Sequence, residues 1–273
     1  MDQYVVFGNP IAQSKSPLIH TMFAQQTGQA LQYGRMLASK DDFIAALDQF
    51  FSQPQSKGCN ITAPFKEQAA GWVNQLSERA QLAGAINTIV RRADGSFYGD
   101  TTDGPGLVQD LLRLGIALRN KRILLLGAGG AARGVLQPLL AQEPALLLVA
   151  NRTAAKAELL ASLIDDTALQ GCGFEQLAAL EAPFDLLINS TSGGLSGELP
   201  AVADQVIARS RHVYDMSYAD KPTIFMQHAS QLGVAHCYDG LGMLVGQAAE
   251  SFYLWRGVKP QVETVIQAVR AQL

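Results

Sequence analysis

The chain has 273 residues, 48% of them hydrophobic and 16% charged, with a formal net charge of −3. That length holds a large core and suits two domains of ordinary size, with a single large α/β domain as the alternative; the balance gives no sign of extensive disorder, and slight acidity without a basic run argues against nucleic acid as a partner. No run approaches the roughly 20 apolar residues of a spanning helix, Met1-Asp2-Gln3 lacks the basic start of a signal peptide, and Cys59, Cys172 and Cys237 have neither disulfide nor metal spacing, so a soluble, reduced, cytoplasmic chain with no membrane partner is expected.

Val5-Val6-Phe7, closed by Gly8-Asn9-Pro10, predicts a first buried strand. Ser16-Pro17 predicts a helix start, with Ser16 able to cap and Leu18, Met22 and Phe23 forming an apolar face. A strand is expected at 31–37, then a helix from Asp41-Asp42 in which Phe43, Ile44, Leu47, Phe50 and Phe51 fall at helical spacing. Gly58 to Thr62 reads as a strand end and Pro64 as the opening of a helix. Residues 85–92 and 96–99 read as a strand pair around Ala93-Asp94-Gly95. Such alternation of strand and helix predicts a mostly parallel sheet. From Asp103 a helix bearing Leu107, Leu111 and Leu114 leads to a strand at Lys121, and the domain change is placed within it.

Ile123 to Leu126 then runs straight into Gly127-Ala128-Gly129-Gly130-Ala131-Ala132. A strand, a glycine-rich turn and a helix start form a dinucleotide pattern, in which backbone N–H groups at the helix end receive the pyrophosphate. After the next strand, where an NAD site offers an acid to the ribose, the chain reads Asn151-Arg152-Thr153, with Lys156 close behind. A guanidinium fork, an amide, a hydroxyl and an ammonium suit a 2′-phosphate, so NADP is expected over NAD. An ordinary solvated basic face is the competing reading. A helix at 131–140, strands at 145–150 and 185–189 and a helix from Thr153 extend the α/β pattern. The loop Ser190-Thr191-Ser192-Gly193-Gly194, strands at 213–215 and 235–238, a long helix to Trp255 and a terminal helix after Pro260 follow.

Lys66, at a helix start, and Asp103, just before the domain change, are candidates to hold a hydroxyl and move its proton. A carboxylate favours the ammonium form, whereas proton acceptance needs the amine, so Lys66 as acceptor and Asp103 as orienting group are separate expectations. A plain surface ion pair is the alternative. Ser14, Ser16, Asn60, Thr62 and Asn87 lie at turns or strand ends and offer neutral groups suited to a small polyhydroxylated acid, with helix capping as the other use of the hydroxyls. His20, His212, His228 and His236 lack paired metal spacing, so no metal is expected. Ser190-Thr191-Ser192 lacks the glycine-flanked serine of a nucleophile elbow.

In order, Val6-Phe7-Gly8-Asn9-Pro10-Ile11, Ser14-Lys15-Ser16-Pro17, Asn60-Ile61-Thr62-Ala63-Pro64-Phe65-Lys66, Ala83-Gly84-Ala85-Ile86-Asn87-Thr88 and Thr102-Asp103-Gly104 resemble the shikimate dehydrogenase family. So do the glycine turn, Asn151-Arg152-Thr153, Tyr214-Asp215-Met216, and Asp239-Gly240-Leu241-Gly242-Met243-Leu244 followed by Gln247. The resemblance implies an α/β protein with an N-terminal substrate-binding domain at 1–103 plus 239–273 and a Rossmann-type NADP domain at 104–238, the last helices returning to the first domain. It implies reversible NADPH-dependent reduction of 3-dehydroshikimate to shikimate, towards chorismate and the aromatic amino acids.

Lys66 and Asp103 would then be the catalytic pair. Ser14, Ser16, Thr62, Asn87 and Gln247 would bind the substrate's carboxylate and hydroxyls, with Asn60 and Tyr218 nearby. Gly127, Ala128, Gly129, Gly130, Ala131, Asn151, Arg152, Thr153 and Lys156 would hold NADP, with Met216 and Gly240 near the nicotinamide. A monomer or homodimer acting on a small molecule is expected. Thr101, Ala63 and Lys156 depart from the family pattern, which commonly has Asn, Val and Arg there. The rival readings are a quinate/shikimate dehydrogenase preferring NAD and a non-catalytic shikimate-binding sensor.

Overall fold

A computed structural model describes residues 1–191, 193 and 197–273; Ser192 and Gly194 of the loop read above lie outside them. The chain divides into two compact units, Met1–Gly106 with Leu244–Gln272, and Leu107–Met243. Both changeovers fall inside helices, a few residues later than the sequence places them, because each helix continues unbroken past the boundary.

The first unit runs β1 (Asp2–Gly8), α1 (Ser16–Thr27), β2 (Leu31–Leu37), α2 (Phe43–Phe51), β3 (Ser56–Ile61), α3 (Lys66–Ala70), β4 (Gln75–Leu76), α4 (Glu78–Ala83), β5 (Thr88–Arg91), β6 (Phe97–Asp100) and the start of α5 (Asp103–Arg113). Its sheet has the order β2-β1-β3-β5-β6-β4, with β5 antiparallel to its neighbours and the other pairings parallel. β1 is apolar throughout its centre because both of its faces are covered. Val5 and Phe7 pack with Phe43, Leu47 and Phe50 of α2. On the other face Tyr4 meets Trp255, 4.6 Å between ring centroids.

The second unit contains β7 (Arg122–Leu126), α6 (Gly130–Leu140), β8 (Leu146–Asn151), α7 (Ala154–Ala161), β9 (Leu169–Gly173), α8 (Phe174–Leu177), β10 (Leu186–Asn189), α9 (Asp204–Ala208), β11 (His212–Asp215), α10 (Ile224–Gln231) and β12 (Cys237–Asp239). All strands are parallel in the order β12-β11-β10-β7-β8-β9. This is the doubly wound order, whose direction of winding reverses between β7 and β10, where such sheets bind ligands beyond the strands' carboxyl ends. Ile123 and Leu125 face one core, with Val135 and Leu136, while Leu124 and Leu126 face the other, with Phe184 and Phe225. β9 escapes sequence reading because an edge strand spelled Leu-Gln-Gly-Cys-Gly has little apolar alternation.

α11 (Leu241–Arg256) carries the chain back to the first unit, and α12 (Glu263–Arg270) ends it. Among the described residues no helix is long and apolar enough to cross a membrane.

His20 of α1 is enclosed by rings. It stacks on Tyr33 at 4.2 Å and lies 5.2 Å from Trp255, and neither ring nitrogen has a hydrogen-bond partner among the described residues. Burial lowers its pKa to about 3. The unfolded chain therefore takes up a proton near pH 6.5 that the folded chain refuses until about pH 3. Stability is expected to be lost as pH falls through that window, with His20 contributing a slope of roughly 1.4 kcal/mol per pH unit. Urea unfolding of wild type and His20→Phe between pH 4 and 7 checks this; parallel pH profiles would contradict it.

Candidate active site

The turn from β6 into α5 places Asp103. Asp100, buried at the end of β6, takes Arg79 Nε and Nη2 at 2.8 and 2.7 Å, Ser77 Oγ at 2.5 Å and the Thr101 backbone N–H at 2.8 Å. Arg79 also reaches Glu250 of α11 at 3.5 Å. With the turn anchored this way, Asp103 becomes the first residue of α5, where the exposed N–H groups of a helix end favour a carboxylate.

Asp103 is engaged at both oxygens. Lys66 Nζ donates to Oδ2 at 2.5 Å and Asn87 Nδ2 to Oδ1 at 2.9 Å. The Asn87 amide cannot be reversed, because its Oδ1 accepts the Thr102 backbone N–H at 2.9 Å, a group that can only donate. Asn87 Nδ2 also lies 3.2 Å from Gln247 Oε1. Gln247 comes this close because Gly106 lets α5 and α11 touch backbone to backbone; a Cβ at Gly106 would sit 2.5 Å from the Gln247 nitrogen.

The other predicted polar residues of the first unit lie in two groups. Asn60, buried at the end of β3, accepts the Tyr33 hydroxyl at 2.6 Å and donates to the Asn87 carbonyl at 3.0 Å. Thr62 follows directly, its N–H bonded to the Phe7 carbonyl at 2.9 Å. Ser14 and Ser16 pair at 3.2 Å, and Arg35 fixes their turn by donating from Nη2 to the Ser14 carbonyl at 2.6 Å. Ser16 is the first residue of α1 and not its cap: the cap position is Lys15, with no side-chain capping bond. The Ser16 hydroxyl is thereby left for other use. Tyr218 belongs to the second unit, half-buried, and burial pushes its phenol up.

In the second unit β7 ends at Gly127, whose φ of 103° and whose contact with Ser190 suit glycine alone. At Gly129 and Gly130 an added Cβ would meet nothing within 4 Å, so here the protein's own packing asks for no glycine. That exposed space at the start of α6 admits a pyrophosphate against the backbone. Ala128 and Ala131 line the same turn, on either side of the two glycines. One strand over, Asn151 folds back onto the Thr153 carbonyl at 3.1 Å, while Arg152, Thr153 and Lys156 are exposed and neither cation forms an ion pair with a described residue. Gly240 packs against the Met216 carbonyl so closely that no Cβ fits, which joins the ends of β11 and β12. Beside them buried Asp215 accepts Asn189 Nδ2 at 3.2 Å and Thr223 Oγ1 at 2.6 Å, and burial raises its pKa.

Chemically, the first unit presents an ammonium steadied by a carboxylate and ringed by neutral amides and hydroxyls, a set that can orient a polyol and exchange one proton. The second presents an anion cradle and two cations unpaired among the described residues. Ser251, Tyr33, Arg35 and Arg79 are functional neighbours that the sequence reading misses, and Thr88 enters it only as the end of a motif. Of the missed residues Ser251 carries a signal, standing four residues after Gln247 on one helix face.

Residues 6–89 match the family model of the shikimate dehydrogenase substrate binding domain, 108–213 that of shikimate/quinate 5-dehydrogenase, and 240–270 that of the shikimate 5′-dehydrogenase C-terminal domain. The chain is 54% identical over 274 residues to the shikimate dehydrogenase (NADP(+)) of Vibrio atlanticus (strain LGP32), covering 100% of this chain and 98% of the relative. It is 52% identical over 273 residues to that of Cellvibrio japonicus (strain Ueda107), covering 100% and 98%. Among solved structures it is similar to an Ael1 enzyme from Pseudomonas putida (TM-score 0.94, 44% identity, 98% of both chains). It is also similar to shikimate 5-dehydrogenase from Thermus thermophilus in complex with NADP(H) and shikimate (TM-score 0.87, 29% identity, 100% of both chains).

Because Asp100 is only 2% exposed, Arg79→Met would leave a buried carboxylate without its cation. A loss of about 3 kcal/mol in urea unfolding is expected; a loss under about 0.5 kcal/mol, the size of a surface pair, would contradict that anchoring.

Proposed function

This chain belongs to the shikimate dehydrogenase family, and we propose that it interconverts 3-dehydroshikimate and shikimate with NADP, a step of aromatic amino acid biosynthesis. The observation that carries the reading is the Lys66–Asp103 pair with Asn87 on its other oxygen. NADPH, when bound, supplies the hydride to the carbonyl carbon. Lys66 donates a proton to the carbonyl oxygen as negative charge develops there, and takes it back in the oxidation direction. Asp103, occupied at both oxygens, orients the ammonium.

Ser14 and Ser16 hold the carboxylate end, and Thr62, Asn87 and Gln247 the hydroxyls, with Asn60 and Tyr218 as further polar groups. Gly127, Ala128, Gly129, Gly130 and Ala131 receive the pyrophosphate; Asn151, Arg152, Thr153 and Lys156 hold the 2′-phosphate; Met216 and Gly240 flank the nicotinamide. The exposed Arg152 and Lys156 and the absence of an acid at 151–153 favour NADP over NAD, and retention of the proton-handling pair favours an enzyme over a sensor. We place this reaction in a cytoplasmic monomer or homodimer acting on small molecules without a membrane partner; the slight net acidity, with no basic run, argues against a nucleic-acid partner.

Steady-state shikimate oxidation with either cofactor tests this. Lys66→Met is expected to lower kcat by about a thousandfold while shikimate still binds. Arg152→Ala is expected to raise the KM for NADP by about tenfold or more with little effect on NAD. A wild type that binds shikimate without oxidising it, or that prefers NAD, would overturn the assignment.

A further inference from the structure

Behind the site two fully buried hydroxyls are hydrogen-bonded among the amides and hydroxyls of the site residues. Ser251, one turn after Gln247 on α11, is 0% exposed, as is Thr88 at the start of β5. Ser251 Oγ lies 2.7 Å from Thr88 Oγ1, 3.2 Å from Thr102 Oγ1 and 3.0 Å from the Gln247 carbonyl oxygen, and accepts from Asn60 Nδ2 at 3.0 Å. Thr88 Oγ1 donates to Asn87 Oδ1 at 2.9 Å and accepts from Asn60 Nδ2 at 3.2 Å. Hydrogen bonds therefore run from Tyr33 through Asn60, Ser251 and Thr88 to Asn87, and from Asn87 to Asp103 and Lys66.

We propose that Ser251 and Thr88 are positioning residues for the reaction: their hydroxyls, braced by Asn60, hold the Asn87 amide so that Nδ2 points at Asp103 Oδ1, and through Asp103 they aim Lys66. A fully satisfied buried network fixes one arrangement of its members, and catalytic groups lose rate when displaced by fractions of an ångström. Without the two hydroxyls, the oxygen of Asn87 is held by Thr102 alone. The amide can then rock, and the carboxylate it steadies rocks with it. The assignment rests on the reaction proposed above.

Kinetics of Ser251→Ala, Thr88→Val and Thr88→Ser, with thermal melting of each, test the idea. Thr88→Val keeps the side-chain shape without the hydroxyl, and Thr88→Ser keeps the hydroxyl without the methyl. Ser251→Ala and Thr88→Val are expected to lower kcat about tenfold with the KM for shikimate within about twofold, and Thr88→Ser to recover most of the rate. In an Asn87→Ala background, Ser251→Ala is expected to lower kcat by much less than it does alone, because it acts through Asn87. Variants within twofold of the wild-type kcat, a Thr88→Ser as slow as Thr88→Val, or losses that multiply in the double variant would overturn the proposal. An active wild type with indifferent variants overturns only this inference; a wild type that oxidises no shikimate overturns the assigned reaction and this inference with it.

Discussion

A carboxylate held at both oxygens is what the site depends on. Asp103 receives Lys66 on one side and Asn87 on the other. As an ion pair between groups 34% and 23% exposed, Lys66–Asp103 contributes little to stability, since water screens both charges. Its value is directional: an ammonium with one N–H committed to a fixed acceptor turns its remaining donors to a defined place. Much of the first unit's polar interior serves to fix that acceptor. The Arg79–Asp100 pair pins the turn before it, the Thr102 N–H decides which way the Asn87 amide faces, and Gly106 admits Gln247.

The two units divide the chemistry. The second unit's sheet order and glycine turn are shared by many dehydrogenases and carry no information about substrate; in the proposed function the exposed Arg152 and Lys156 narrow the choice of nucleotide. In the same proposal substrate identity rests on the first unit, where the neutral groups around Lys66 and Asp103 outnumber the charges. Few polar groups there stand idle, since Asn60 and Asn87 each have donor and acceptor atoms in use.

Legibility in the sequence followed locality. Lys66, Asp103, Ser14 and Gly127 stand at turns or helix starts, where a residue's neighbours announce its conformation, and the apolar strands β1, β7 and β10 announce themselves by composition. Ser251 sits inside a helix and Thr88 opens a strand, places where a serine or threonine reads as ordinary filling until partners 163 residues away are brought to 2.7 Å. Ser16 shows the opposite failure: Ser-Pro is a sound capping signal, yet the helix begins one residue earlier than that signal implies and frees the hydroxyl. Thr101, one of the departures from the family pattern, is buried with its N–H on Asp100, so the anchored turn accommodates it through backbone bonding.

Single-turnover hydride transfer in Asp103→Asn, paired with calorimetric shikimate binding, measures most directly whether this carboxylate governs the chemistry. The substitution keeps the shape and removes the charge that orients Lys66. Binding within about fivefold of wild type and hydride transfer slowed by about a hundredfold or more is the predicted result. Hydride transfer at the wild-type rate, or a loss confined to binding, would contradict it.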